Sequence, residues 1–129
     1  MLRLKRQLPA VPGSVSELRR LAVAYAGEVC ELDGQLHADI ALCVSEAATN
    51  AVRHAYADGD GRATIELEVY QAASRLVVQI TDDGVGMDEG ELPGTGLRII
   101  SQLASLTLSA PGSGVTVTMA FPCPAPADA

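Results

Sequence analysis

Lysine is almost absent from this sequence, since Lys5 is the only one in 129 residues. A G-x-x-x-x-G-K-[ST] phosphate loop therefore cannot be present, and the third glycine of a dinucleotide-binding fingerprint is also missing. Any bound phosphate has to be held in another way. Cysteine is scarce too, and Cys30, Cys43 and Cys123 show no C-x-x-C spacing. We therefore expect neither a disulfide framework nor a zinc site, and we expect a reducing compartment.

Positive charge and long apolar runs are also in short supply. The net charge of -7 argues against non-specific binding to nucleic acid or to an anionic membrane, because both favour a basic surface. The first six residues carry the positive charge of a signal sequence, but no apolar segment follows and no run has membrane-spanning length. We expect a cytoplasmic protein whose partners are proteins and not nucleic acid or membrane.

Hydrophobic residues make up 48% of the chain, which is enough for one domain with a buried core. Their spacing predicts the order β-α-α-β-β-α-β-β, with tight turns between neighbouring strands. This order favours an α+β fold, a two-layer sandwich in which helices cover one face of a mainly antiparallel mixed sheet. We expect the domain to span residues 1–121 and residues 122–129 to form a disordered tail rich in proline and alanine.

Two local signals predict where the first helix begins and ends. Ser14 and Glu17 have the S-x-x-E spacing of a capping box and follow a Pro-Gly pair. Asp33-Gly34 is expected to close that helix. A second helix is predicted over residues 36–56, with an apolar stripe facing the core and a polar stripe on its other side.

The polar stripe of the second helix carries the first chemical signal. Glu46 and Asn50 are four residues apart and project from one face of the helix as neighbours. A carboxylate beside a carboxamide suits Mg²⁺ binding and proton transfer. Taken alone, the pair is more often simply a solvated helix face.

Two glycine-rich segments follow. Asp82-Asp83-Gly84-Val85-Gly86 lies at the end of a predicted strand, where Asp82 could accept a hydrogen bond from the exocyclic amine of adenine and Gly84 and Gly86 allow close backbone approach. Gly94-Thr95-Gly96 precedes a short predicted helix, whose free N–H groups and dipole favour phosphate. Each segment alone also fits an ordinary turn or loop.

In this order, the E-x-x-x-N, D-x-G-x-G and G-x-G segments resemble the N, G1 and G2 boxes of the GHKL ATPase superfamily. Residues 45–56, Ser-Glu-Ala-Ala-Thr-Asn-Ala-Val-Arg-His-Ala-Tyr, look most like those of bacterial anti-sigma factor serine kinases. That resemblance implies the Bergerat fold, in agreement with the α+β order.

The resemblance also implies a role for each matching residue. Glu46 would be the general base, Asn50 the Mg²⁺ ligand and Asp82 the partner of the adenine amine. Met87 would pack on the base, and Arg53 and His54 would border the nucleotide. The phosphates would be lined by Gly94, Thr95, Gly96 and Leu97.

The implied function is that of an ATP-binding anti-sigma factor that phosphorylates a serine of an anti-anti-sigma protein, uses Mg²⁺ and releases ADP. It would also sequester a sigma factor, and the resemblance implies a homodimer. Two alternatives stay open: a nucleotide-gated binding module without phosphotransfer, and a stand-alone histidine-kinase-like ATPase domain. The connection from Gly86 to Gly94 is short for a histidine kinase, which favours a site that a partner protein can reach.

Overall fold

The computed structural model describes residues 3–56, 64–83, 95–109 and 115–124, apart from the side chains of residues 54–56, 95 and 96. These ranges contain five strands and three helices. In chain order they are β1 (Leu4–Pro9), α1 (Gly13–Val29), α2 (Gly34–Tyr56), β2 (Thr64–Ala72), β3 (Arg75–Asp82), α3 (Thr95–Leu103), β4 (Ser105–Ser109) and β5 (Val115–Pro122).

The strands form one sheet in the order β1-β2-β3-β5-β4, and every neighbouring pair in it is antiparallel. Side chains alternate across a strand, so β2, β3 and β5 each bury every second residue. The register aligns Ile65 of β2 with Asp82 at the end of β3, and Asp82 in turn with Val115 at the start of β5. Three strand ends therefore meet at one edge of the sandwich.

The helices cover the face of the sheet to which these buried residues point. Helix α2 contacts β2, β3 and β5, while α1 contacts α2 and β2. The core between the layers contains Phe121, Leu18, Ile40 and Leu67, all with essentially no exposed surface. This arrangement confirms the expected two-layer α+β sandwich with helices on one face.

The predicted helix boundaries need two corrections. Ser14 does not cap α1, because its hydroxyl donates to the carbonyl of Pro9 at 2.6 Å and Glu17 binds Arg20 instead. The N-cap position belongs to Pro12, so Ser14 lies inside the first turn. Asp33 does not close α1 but begins α2, since its carboxylate accepts the N–H of Leu36 at 2.7 Å.

The expectation that the cysteines would not pair was wrong. Cys30, directly after α1, forms a disulfide with Cys123, directly after β5, and their Cα atoms lie 5.0 Å apart. The two are separated by 93 residues, so only the folded chain brings them together. Backbone hydrogen bonds from Glu31 to Pro124 and from Cys123 to Ser74, both 2.8 Å, attach the same chain end. Cys43 is free and buried in α2.

The end of β5 extends beyond residue 121, where the tail was expected to begin. The strand continues to Pro122, and Cys123 is buried. Residues 125–129 lie outside the described ranges. None of the described helices combines the length and the apolar character needed to cross a membrane.

Candidate functional site

A cavity opens at the edge where the ends of β3 and β5 meet α2 and α3. Asn50 and Asp82 both line it, together with Leu97 from the first turn of α3. Between the described residues the cavity volume is about 10 Å³, room for about one water molecule and far below the roughly 300 to 1,000 Å³ of sites that enclose a small molecule. The cavity thus joins one residue from each of the first two sequence segments with Leu97, which directly follows the third.

Asp82 is the chemically unusual residue of this cavity. The alternation along β3 places it on the same inward face as Leu76, Val78 and Ile80, and only 3% of its surface is exposed. Ser14 is the other buried polar residue in the described part of the chain. A carboxylate in the wall of a mostly apolar cleft is one of the few polar groups that could orient a ligand there, so its position makes this cleft a candidate binding site.

Helix α2 positions Asn50 on the opposite wall. Ala47 and Ala51 lie beside Asn50 on the cavity wall and are almost fully buried. Because alanine ends at Cβ, the helix can lie close to the sheet while Asn50 reaches into the cavity. Its carboxamide is half-buried and offers both an oxygen acceptor and two N–H donors.

Glu46 lies one helical turn before Asn50 and is also half-buried. It does not itself line the cavity, and no described cation forms an ion pair with it. Its charge also affects a neighbour in the same helix. The pKa of the Cys43 thiol is raised first by burial, then by the charge of Asp39 and then by the charge of Glu46. Glu46 therefore lies outside the cavity wall, one helical turn from Asn50 on the same stripe of α2.

The hydroxyls next to Glu46 are engaged locally. Ser45 donates to the carbonyl of Ala41 at 2.8 Å and accepts a hydrogen bond from Arg19 at 3.2 Å. Thr49 donates to the carbonyl of Ser45 at 2.7 Å. Such bonds to the preceding helical turn are common for these residue types. They leave Ser45 without the activating base that a nucleophile would need.

The start of α3, which contains the end of the Gly94-Thr95-Gly96 segment, contributes the third part of the site. The helix begins at Thr95 and Gly96, and Leu97, only 4% exposed, forms part of the cavity wall. The first backbone N–H groups of a helix lack intrahelical acceptors, and the helix dipole adds positive potential there. The N-terminus of α3 at this edge is consequently suited to an anion.

The other predicted site residues either do not line this cavity or lie outside the residues that the structure describes. Arg53 is exposed and lines a neighbouring shallow groove with Pro12, Val15, Thr49 and Val52, not the cavity of Asn50. His54 lies in the last turn of α2. The glycines and the methionine of the loop after β3 lie outside the described residues: Gly84, Gly86, Met87 and Gly94.

The apolar part of the cavity wall was not predicted from the sequence. Ile80, Leu108, Val115 and Val117 line it, the last two from β5. In the sequence they look like ordinary core residues of alternating strands, and no local signal separates a wall residue from a core residue. Their position depends on the pairing of β5 with β3, which is known only from the fold.

The side chains around Asn50 also indicate which kind of metal ion could bind there. The described residues contain no group of three or more His, Cys, Asp or Glu side chains placed to hold a metal ion. An ion at Asn50 would therefore have few protein ligands. This fits Mg²⁺, which keeps several waters and is commonly bound through one or two protein oxygens and the phosphates of a nucleotide.

Two groups of known proteins are similar to this chain in sequence. The serine-protein kinase RsbW of Listeria innocua serovar 6a is 36% identical over 83 residues, which cover 64% of this chain and 51% of RsbW. The anti-sigma F factor of Pasteuria penetrans is 31% identical over 115 residues, covering 75% of this chain and 77% of that protein. The chain spans about half the length of the RsbW proteins that it matches.

Solved structures show the same fold. The RsbU and RsbW domains of Rv1364c from Mycobacterium tuberculosis superpose with a TM-score of 0.66 at 19% identity, covering 96% of this chain and 34% of that one. Residues 8–121 match the family described as the histidine kinase-like ATPase domain. This match covers most of the chain and contains Asn50, Asp82 and Leu97. The chain therefore belongs to the histidine kinase-like ATPase domain family.

Proposed function

We propose that this protein is an ATP-dependent serine kinase that also acts as an anti-sigma factor. Membership of an ATPase-domain family implies nucleotide use. The observation that carries the proposal is the shared cavity of Asn50 and Asp82, with Glu46 one helical turn from Asn50. The names of its relatives, serine-protein kinase RsbW and anti-sigma F factor, support the same reading.

In this proposal Asp82 selects the base of the nucleotide. Its carboxylate would accept a hydrogen bond from the exocyclic amine of adenine, which guanine replaces with a carbonyl oxygen that cannot donate. A charge-assisted hydrogen bond contributes about 1.5 to 3 kcal/mol, so adenine would be preferred by an order of magnitude or more. The apolar wall formed by Ile80, Leu97 and Val117 would pack against the ring.

Asn50 and the start of α3 would hold the phosphate end. Asn50 would bind Mg²⁺, whose chemistry is to neutralise the phosphate charge. The N–H groups at Thr95 and Gly96 would donate hydrogen bonds to phosphate oxygens. From the resemblance we add Met87 against the base, Gly84, Gly86 and Gly94 as close backbone approaches, and Arg53 and His54 at the border of the nucleotide.

Glu46 would act as general base for transfer to a serine. As the serine oxygen forms a bond with the γ-phosphorus, its proton passes to the Glu46 carboxylate and the bond from phosphorus to the bridging oxygen of ADP breaks. The products are phosphoserine and ADP. The half-buried position of Glu46, one helical turn from Asn50, suits an acceptor that arrives on a partner protein.

The partners in this proposal are a sigma factor, which the protein sequesters, and an anti-anti-sigma protein, which supplies the acceptor serine. Such partners would place the protein in the cytoplasm, where thiol systems tend to reduce disulfides such as Cys30–Cys123. The family likeness further suggests a homodimer, which sedimentation equilibrium can test.

The kinase reaction can be tested with Mg²⁺, ATP and a cognate anti-anti-sigma protein. We expect phosphoserine on that protein, and Glu46→Gln should slow its formation at least about 100-fold, the usual contribution of a general base, while ATP binding is kept. Glu28→Gln, at an exposed carboxylate on α1, is the matched control and should transfer at the wild-type rate. Equal rates for Glu46→Gln and wild type would refute the assignment of the base.

The same assay distinguishes the alternatives. A nucleotide-gated binding module would bind ATP and change its affinity for the sigma factor, but would yield no phosphorylated partner. A histidine-kinase-like ATPase domain would yield an acid-labile phosphoryl product on a separate histidine-bearing protein. Phosphoserine withstands acid, so the stability of the product at low pH decides between the two kinase readings.

A further inference from the structure

Asp83, the residue after the cavity carboxylate, binds the start of the neighbouring strand. One oxygen of its carboxylate accepts the backbone N–H of Thr64 at 2.8 Å, and the other accepts the Thr64 hydroxyl at 3.1 Å. The side-chain amide of Gln7, on β1, donates to that same hydroxyl at 3.1 Å. Asp83, Thr64 and Gln7 therefore tie three strands together at the edge of the cavity, and we name these three residues the strand-end clamp.

The clamp fixes the residue that carries the binding carboxylate. Asp82 is the last residue of β3 and pairs with Ile65, the residue after Thr64. Strand ends fray unless something ties them down, because each terminal residue has fewer neighbours to hold it. Side chains alternate, so Asp82 points inward to the cavity while Asp83 points outward to Thr64. The adjacent carboxylates of Asp82 and Asp83 thus differ in role, because the first faces the cavity and the second binds Thr64.

We propose that Asp83 is a positioning residue that holds Asp82 in place for recognition of adenine. This inference rests on the proposed nucleotide site. Asp83 does not line the cavity and would not touch the nucleotide through its side chain. It acts by fixing the backbone from which the Asp82 side chain projects, through two hydrogen bonds to one residue.

The direction of the change in ATP affinity distinguishes a positioning role of Asp83 from a purely electrostatic one. Asp83→Ala removes a negative charge one residue from a site for an anionic ligand, so electrostatics alone predicts tighter ATP binding. The positioning role predicts weaker binding, by about 5- to 10-fold, the equivalent of about one net hydrogen bond. The ratio of GTP to ATP dissociation constants should fall by the same factor, since only adenine uses Asp82.

Three further variants test the clamp itself. Asp83→Asn keeps an acceptor for the Thr64 N–H and an amide that can donate to the Thr64 hydroxyl, so it should bind ATP within about twofold of wild type. Thr64→Val keeps the backbone N–H but loses the hydroxyl, so a loss of about two- to threefold is expected, below one full hydrogen bond. In Asp82→Asn, adding Asp83→Ala should cause little further loss, because both changes act through one contact.

The experiment is titration calorimetry with Mg-ATP and Mg-GTP, well below the unfolding temperature that is measured for each variant. Glu28→Ala, which removes an exposed carboxylate on α1, controls for net charge. If Asp83→Ala binds ATP as tightly as wild type or tighter, or loses ATP and GTP affinity equally, the positioning role is overturned. Should Asp83→Ala not fold, Thr64→Val carries the same test. A wild-type protein that binds no ATP would refute the proposed function instead.

Discussion

Reduction of the Cys30–Cys123 disulfide should lower the free energy of unfolding substantially. The bond closes a loop of 93 residues, and in the chain-entropy treatment a loop of that length stabilises the fold by about 4.6 kcal/mol. Domains of ordinary stability unfold at a cost of only about 5 to 15 kcal/mol, so the bond would account for a third or more of the total. The effect arises in the unfolded chain, which becomes freer once the bond is broken.

Urea unfolding followed by circular dichroism, with and without a phosphine reductant, measures this difference. The Cys30→Ser/Cys123→Ser double variant is the control, since the reductant should not change its stability. Under non-reducing conditions the unfolded protein should show one free thiol, that of Cys43, and after reduction it should show three. Three free thiols before reduction would show that the bond is absent. A stability change below about 1 kcal/mol, against the roughly 2 to 5 kcal/mol usual for native disulfides, would show that the bond does not stabilise the fold to this extent.

Two other features give smaller predictions. Burial, followed by the charges of Asp39 and Glu46, raises the pKa of the Cys43 thiol from 9.0 to about 11. The folded state thus holds the thiol proton more tightly than the unfolded state does. The free energy of unfolding, relative to that of Cys43→Ala, should therefore fall by about 2 to 3 kcal/mol between pH 9 and 11, at about 1.36 kcal/mol per pKa unit. Urea unfolding that shows no change in this difference across that pH range would contradict the raised pKa. Asp33→Ala should destabilise the protein by about 1 kcal/mol through the lost cap of α2, with Asp33→Asn as the conservative control, and equal unfolding midpoints for wild type and Asp33→Ala would contradict the cap.

Much of the fold could be predicted because its signals are periodic. Alternating Ile65, Leu67 and Val69 predicted β2, and the stripe along residues 36–56 predicted α2, since each pattern expresses the geometry of its own element. Asn50 and Asp82 could also be predicted to share a site, because the order of three motifs carries information that no single motif has. The structure places both on one cavity.

What could not be predicted depends on contacts between distant residues. The Cys30–Cys123 bond joins the ends of α1 and β5, and Asp83 binds a residue 19 positions earlier. Neither pair has a local spacing that marks it. Asp33 was assigned to the wrong helix for a related reason, because a cap residue between two helices can serve either one, and only the hydrogen bond to Leu36 decides.

Equilibrium titration of the wild-type protein with Mg-ATP and Mg-GTP tests whether the cavity binds an adenine nucleotide. Asp82 and Asn50 line one cavity, and we expect ATP to bind there with a dissociation constant in the micromolar range, equivalent to roughly −8 kcal/mol at 1 μM. GTP should bind at least about tenfold more weakly, because it lacks the amine that Asp82 would bind. Equal affinities for the two nucleotides would rule out recognition of adenine by Asp82, and no binding of ATP would rule out the nucleotide site.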